Sequence, residues 1–186
     1  MYDNNRLLLI DSGRQDKEAL DVYVGQLQNH WNFVDVLSPT SLVEKLSWPF
    51  FIVKKGLDLF SKNKYDHILV REHPLLLNGI GALLLHKATK RPYIVEINRS
   101  NQLSSPSRLP DRIGNLLMRW FFRFEAKFAK AVLVPDKADG ADFIYRCSNQ
   151  SDKVMCLNPF LGYSGEEQSV ELNDYASTIS QLFRKI

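Results

Sequence analysis

The run from Tyr65 to Arg99, YDHILVREHPLLLNGIGALLLHKATKRPYIVEINR, limits the possible folds more than any other part of the chain. His67 to Val70 is a short apolar run that ends in the polar triplet Arg71-Glu72-His73. Pro74 follows, and its fixed φ suits the first position of a helix. Lys90-Arg91-Pro92 closes that helix, and a second apolar run, Tyr93 to Val95, ends in Glu96-Ile97-Asn98-Arg99. Strand, helix and strand of these lengths make a βαβ unit, whose strands are parallel and covered on both faces. Ligands of such sheets sit beyond the carboxyl ends of the strands, and both polar clusters fall there.

The alternation extends in both directions. Further strands are expected at Arg6 to Ile10, Phe33 to Leu37, Ala131 to Val134 and Lys153 to Leu157. Helices are expected over 16–29, with Leu20, Val22, Val24 and Leu27 as its apolar face, over 41–60 with a kink at Pro49, and over 111–130. Thr40 is placed to cap the second of these. The polar stretch from Asn98 to Pro110 reads as a long loop of the functional kind. The expected fold is α/β: a Rossmann-like, doubly wound, mostly parallel sheet of about six strands with helices on both faces. Residues 1–162 form that domain, and 163–186 a tail with an amphipathic helix over 172–184.

The chain's 186 residues fit one such domain. A composition 45% hydrophobic and 24% charged provides a full core. A net charge of +3 is too weakly basic to indicate a nucleic-acid partner. Two cysteines, Cys147 and Cys156, make neither a disulfide framework nor a zinc site and read as reduced thiols of a cytosolic protein. His30, His67, His73 and His86 lack metal-ligand spacing, so no metal is expected. No P-loop or nucleophile elbow is present. The polar start, Met1 to Arg6, has no secretory pattern. The apolar helix Leu75 to Leu85 is well short of the ~20 residues that cross a bilayer. The expected location is cytoplasmic, with any membrane contact peripheral and at its inner face.

Three clusters at strand ends are candidate binding residues, each with a plainer reading beside it. Asp11-Ser12-Gly13-Arg14 follows the first strand; its glycine admits a ligand close to the backbone and Arg14 adds a cation, or it is an ordinary turn. Arg71-Glu72-His73 sets an imidazole beside a carboxylate, either a proton acceptor or a salt-bridged strand end. Glu96, Asn98 and Arg99 follow the next strand. A carboxylate in that apolar run is costly unless paired or used, and Arg99 is a candidate partner.

The helix over 111–130 carries the strongest periodicity. Arg112, Arg119, Arg123, Lys127 and Lys130 fall on one face, and Leu117, Phe121, Phe124 and Phe128 on the opposite one, with Trp120 and Phe122 at the flanks. A second patch, Trp48-Pro49-Phe50-Phe51 with Lys54 and Lys55, has the same character. Both fit either a core-packed helix with a solvated basic side, or a surface for anionic lipid or a partner protein.

The order of these features resembles the N-terminal, acceptor-side domain of GT-B glycosyltransferases, most closely family 4. The matching residues are Tyr65-Asp66, His73-Pro74, Arg91-Pro92-Tyr93, Glu96, Glu125, Ala131 to Val134, Asp152-Lys153-Val154 and Asn158-Pro159, and the likeness spans about residues 5–162. The chain departs from the family in its first loop, where only Gly13 stands, and in Pro135-Asp136 after the fifth strand. The family's second domain, which binds the nucleotide sugar, has no counterpart, so the resemblance implies a donor-binding partner domain or chain. It implies no cofactor beyond the nucleotide-sugar donor. It further implies a sugar or glycolipid acceptor at Asp11, Ser12, Gly13, Arg14, Arg71, Glu72, His73, Glu96, Asn98 and Arg99, in polysaccharide or glycolipid biosynthesis. Most family 4 enzymes retain configuration and need no dedicated base, so Glu96 and His73 stand only as catalytic candidates. The alternative is a non-catalytic binding or scaffold module that docks to a membrane or a partner protein. A flavodoxin-like enzyme would need a phosphate loop richer in Gly, Ser or Thr than DSGRQ.

Overall fold

Short runs of Leu, Ile and Val make the strands, and the longer amphipathic runs between them make the helices. The structure is a computed structural model that describes residues 5–11, 17–41, 44, 47–72, 78–97, 109–134, 151–157 and 167–184. In chain order the elements are β1 (Arg6–Ile10), α1 (Lys17–Gln28), β2 (Phe33–Leu37), α2 (Trp48–Lys62), β3 (His67–Glu72), α3 (Asn78–Thr89), β4 (Tyr93–Ile97), α4 (Leu109–Phe128), β5 (Ala131–Val134), β6 (Val154–Cys156) and α5 (Glu167–Arg184). The six strands form one parallel sheet in the order β2-β1-β3-β4-β5-β6.

That order dictates where the helices lie. The crossover from β1 to β2 runs one way along the sheet, and those from β2 to β3, β3 to β4 and β4 to β5 run the other way. Right-handed crossovers therefore set α1 on one face and α2, α3 and α4 on the opposite one. Side-chain alternation divides the core accordingly. Leu8, Ile10, Ile68, Val70, Tyr93, Val95 and Val132 pack under α2, α3 and α4. Leu7, Leu9, Leu69, Ile94 and Leu133 face α1 and α5. Without α5 the second group would be covered only near α1; Tyr175, Ala176, Ile179 and Phe183 bury the remainder.

Several elements differ from the sequence expectation, each for a physical reason. β3 and β4 run two residues further than expected, because ladder pairing carries Arg71 and Glu96 into register with each other. Pro49 does not kink a longer helix: it stands in the first turn of α2, where a missing N–H costs nothing. α1 buries Leu27 and packs Leu20 and Val24 against the core as expected, but Val22 is exposed and Tyr23, an aromatic with a polar tip, is buried with Ala19 in its place. α3, by contrast, closes where expected: Thr89 is its last residue, and Lys90 just beyond it takes the left-handed conformation with φ of 61°.

Candidate functional site

The sheet order turns around at β1, so the carboxyl ends of β1 and β3 flank the reversal, where open α/β sheets bind ligands. Alternation carries the α1–α5 face up to these ends: Asp11 continues Leu7 and Leu9, Arg71 continues Leu69, and Glu96 continues Ile94. The three meet there. Arg71 Nε lies 3.4 Å from Glu96 Oε1, and Arg71 Nη1 3.7 Å from Asp11 Oδ2. Tyr23 Oη donates to Glu96 Oε2 at 2.9 Å, and the guanidinium sits 4.8 Å from the Tyr23 ring centroid. Tyr175 of α5 packs beside Tyr23, ring centroids 6.2 Å apart.

All five side chains are buried. Burial, and then the Glu96 charge, push the Tyr23 and Tyr175 hydroxyls well above the ordinary phenol range. Burial works against the Arg71 charge, but Glu96, Tyr23 and Asp11 outweigh it and hold the guanidinium above its usual value. Asp11 Oδ2 accepts no hydrogen bond among the described residues. The arrangement fixes one cation between two carboxylates at the strand ends, with the Tyr23 hydroxyl donating to one of them.

A second buried chain joins β3 to the other face. Asn78 Nδ2 donates to the Arg71 carbonyl at 2.6 Å, and Trp48 Nε1 donates to Asn78 Oδ1 at 2.5 Å. Beside them the buried Glu125 carboxyl lies against the first turn of α3; a Cβ on Gly79 would stand 2.3 Å from Glu125 Cδ. The helix dipole favours an anion there.

The structure thus brings together Asp11, Arg71 and Glu96. Glu72 ends β3 with its side chain outside the described residues, and Ser12, Gly13, Arg14, His73, Asn98 and Arg99 lie wholly outside them. Glu96 has Arg71 as a partner, where the sequence offered Arg99. Sequence reasoning missed Tyr23, Tyr175 and Asn78; the signal for Tyr23 was its spacing of four from both Ala19 and Leu27, which sets all three on one helix face.

The surface residues need two corrections. Trp48 does not belong to an exposed patch: it is fully buried, stacked 5.5 Å from Phe51 and tied to Asn78. Phe50, Lys54 and Lys55 are exposed. On α4 the fully buried positions are Phe122, Glu125 and Ala126, with Ala129 just past its end; Phe128 is half-buried against the core as expected, Phe121 is half-buried, and Phe124 is exposed. Small alanines let α4 approach the sheet, and the rings of Trp120 and Phe124 face outward. Leu116, Trp120 and Phe124 are exposed at 68%, 56% and 39%. Arg123 and Lys127 are exposed, Arg119 is half-buried, and the Arg112 side chain lies outside the described residues.

At the opposite, amino end of the strands lies a cavity of about 690 Å³, lined by Asn5, His30, Asp66, His67, Ser180 and Arg184 among others. Burial lowers His67 to about 4, and Trp31 Nε1 donates to its Nδ1 at 3.1 Å. Among the described residues no three His, Cys, Asp or Glu side chains gather as a metal site, and no helix is long and apolar enough to cross a membrane.

No protein-family model matches the sequence, and no curated protein does. Solved structures do match in fold. Anabaena HepE in complex with UDP-glucose aligns with a TM-score of 0.52 and 15% identity over 84% of this chain and 44% of that one. The same protein with UDP and glucose gives 0.51 and 15%, over 84% and 45%. UDP-N-acetylglucosamine 2-epimerase from Rickettsia bellii gives 0.58 and 10%, over 94% and 48%. The chain spans about half the length of each of these proteins. Sheet order, helix placement and these likenesses agree: the chain has the Rossmann-like fold of one half of a GT-B protein.

Proposed function

We propose that this chain is the acceptor-side half of a GT-B glycosyltransferase of family 4 character. It binds a sugar or lipid-linked acceptor beyond the carboxyl ends of β1, β3 and β4. A second domain or chain brings the nucleotide sugar across the cleft. The observation that supports this most is the Asp11–Arg71–Glu96 cluster at the reversal of a sheet shaped like that of HepE. On this reading the buried cluster holds the strand ends, and the residues just past them, Arg14 and Arg99 among them, meet the acceptor. Transfer then rests on positioning and on stabilising an oxocarbenium-like state and its departing diphosphate. It needs no metal or further cofactor from this chain, and nucleic acid has no place in it.

The test is to isolate the tagged chain from its source cells and assay the eluate for transfer from a panel of nucleotide sugars to native lipids and glycans. A stoichiometric partner together with transfer activity supports the reading. An inactive chain without a partner overturns the enzyme reading and leaves a binding module. In the active assembly, Arg14→Ala and Arg99→Ala are expected to raise the acceptor KM about tenfold or more, as each removes a charged hydrogen bond of roughly 1.5–3 kcal/mol. Their melting temperatures should stay unchanged, and a loss of folding would remove either residue from the site.

A further inference from the structure

The two helical faces carry opposite charge. Among the described side chains, α2, α3 and α4 together hold seven Lys and Arg against two acidic residues, and one of those two, Glu125, is buried. Those of α1 and α5 hold one Arg against three acidic residues. The basic face also carries the apolar stripe. Leu116, Trp120 and Phe124 recur every four residues along one side of α4, and Trp120 lies 5.4 Å from Phe124, ring centroid to centroid. The stripe ends at Phe128, which is half-buried against the core 5.6 Å from Phe124, ring centroid to centroid, with Lys87 of α3 and Lys127 over its ring. Leu84 of α3 and Phe50 of α2 are exposed as well.

We infer that this face docks on an anionic lipid bilayer, with the stripe of α4 lying in the headgroup region and the flanking cations against the lipid phosphates. A helix with a narrow apolar stripe, an interfacial Trp and flanking Lys and Arg is suited to lie in the plane of that interface. A protein partner is less well matched, since interface cores are depleted in Lys and both Lys87 and Lys127 lie over the Phe128 ring at the end of this stripe. The acidic α1–α5 face would be repelled, so charge alone sets one orientation. The inference stands apart from the sugar-transfer reading, because its test involves no sugar.

Trp120 supplies the readout. The chain has three tryptophans, and Trp31 and Trp48 are buried, so a change in intrinsic fluorescence on docking reports Trp120. The full chain is mixed with vesicles of phosphatidylcholine alone, or of phosphatidylcholine with phosphatidylglycerol, and followed by co-sedimentation and emission. Binding to the anionic vesicles only, with a blue shift and weakening at high salt, is the expected result. Arg123→Gln and Lys127→Gln should each weaken it about fivefold, and Trp120→Phe should keep binding while losing the shift. No sedimentation, equal sedimentation with both vesicles, or a blue-shifted dimer without lipid would each overturn the inference. Because the Arg123 and Lys127 side chains are exposed, these variants decide the matter even if Trp120→Phe folds poorly.

Discussion

The two faces of the sheet handle charge in opposite ways. Under α1 and α5, apolar packing gives way at the carboxyl ends of the strands to Asp11, Arg71 and Glu96, all sealed beneath Tyr23 and Tyr175. Under α2, α3 and α4 the core is aliphatic and aromatic up to Trp48, Asn78 and Glu125, while cations and rings lie outside. The difference teaches that charge near a strand end is not by itself surface. The parity of each residue along its strand chooses the face, and the helix above decides whether water reaches it.

The largest expected effect breaks the sealed cluster. Arg71→Met should cost about 3–5 kcal/mol in a urea titration, because it leaves two carboxylates buried without their cation. A loss below about 1 kcal/mol would show that water reaches the cluster. On the opposite face, Gly79→Ala drives a methyl into the Glu125 carboxyl. The expected loss is roughly 1–3 kcal/mol. Gly79→Ala combined with Glu125→Ala should recover part of it, and a double variant no more stable than Gly79→Ala would place the strain elsewhere.

The smallest effect sharpens the comparison at the amino end of the α1–α5 face. His67 sits at about 4 in the folded protein because it is buried, against roughly 6.5 when unfolded. The unfolded chain therefore takes up the proton first as pH falls. His67 then stabilises fully above about 6.5 and loses its contribution progressively down to about 4. After discounting for its partial exposure the change is about 1–2 kcal/mol. His67→Gln should flatten the stability curve across that window, and an unchanged slope would assign it to other groups.

Much of the fold was legible because its signals are local. Apolar runs bounded by Gly, Pro and polar clusters located all six strands, and the alternation with helices named the parallel class. The site was legible in part. Asp11, Arg71 and Glu96 stand at strand ends and follow from the rule that ligands meet those ends. The seal over them was not legible: Tyr175 is 79 positions from Glu96 in the chain, and Tyr23 is 73. On α4 the basic stripe is plain in the sequence. Its apolar side was misassigned at Phe124 because bulk suggests a core, whereas Ala126 and Ala129 are what close packing against the sheet selects; Phe128 does pack against the core.

By itself, the sequence determined the strands, the helices between them, the parallel class and the end of the sheet where a site belongs, since each rests on periodicity and turn chemistry within a few residues. Only the tertiary structure decided that α5 covers the face left open by right-handed crossovers, that Glu96 pairs with Arg71, and that Trp48 is buried while Trp120 is exposed. Those outcomes depend on strand register and on which helix lies above each strand, and both are set by contacts between residues far apart in the chain.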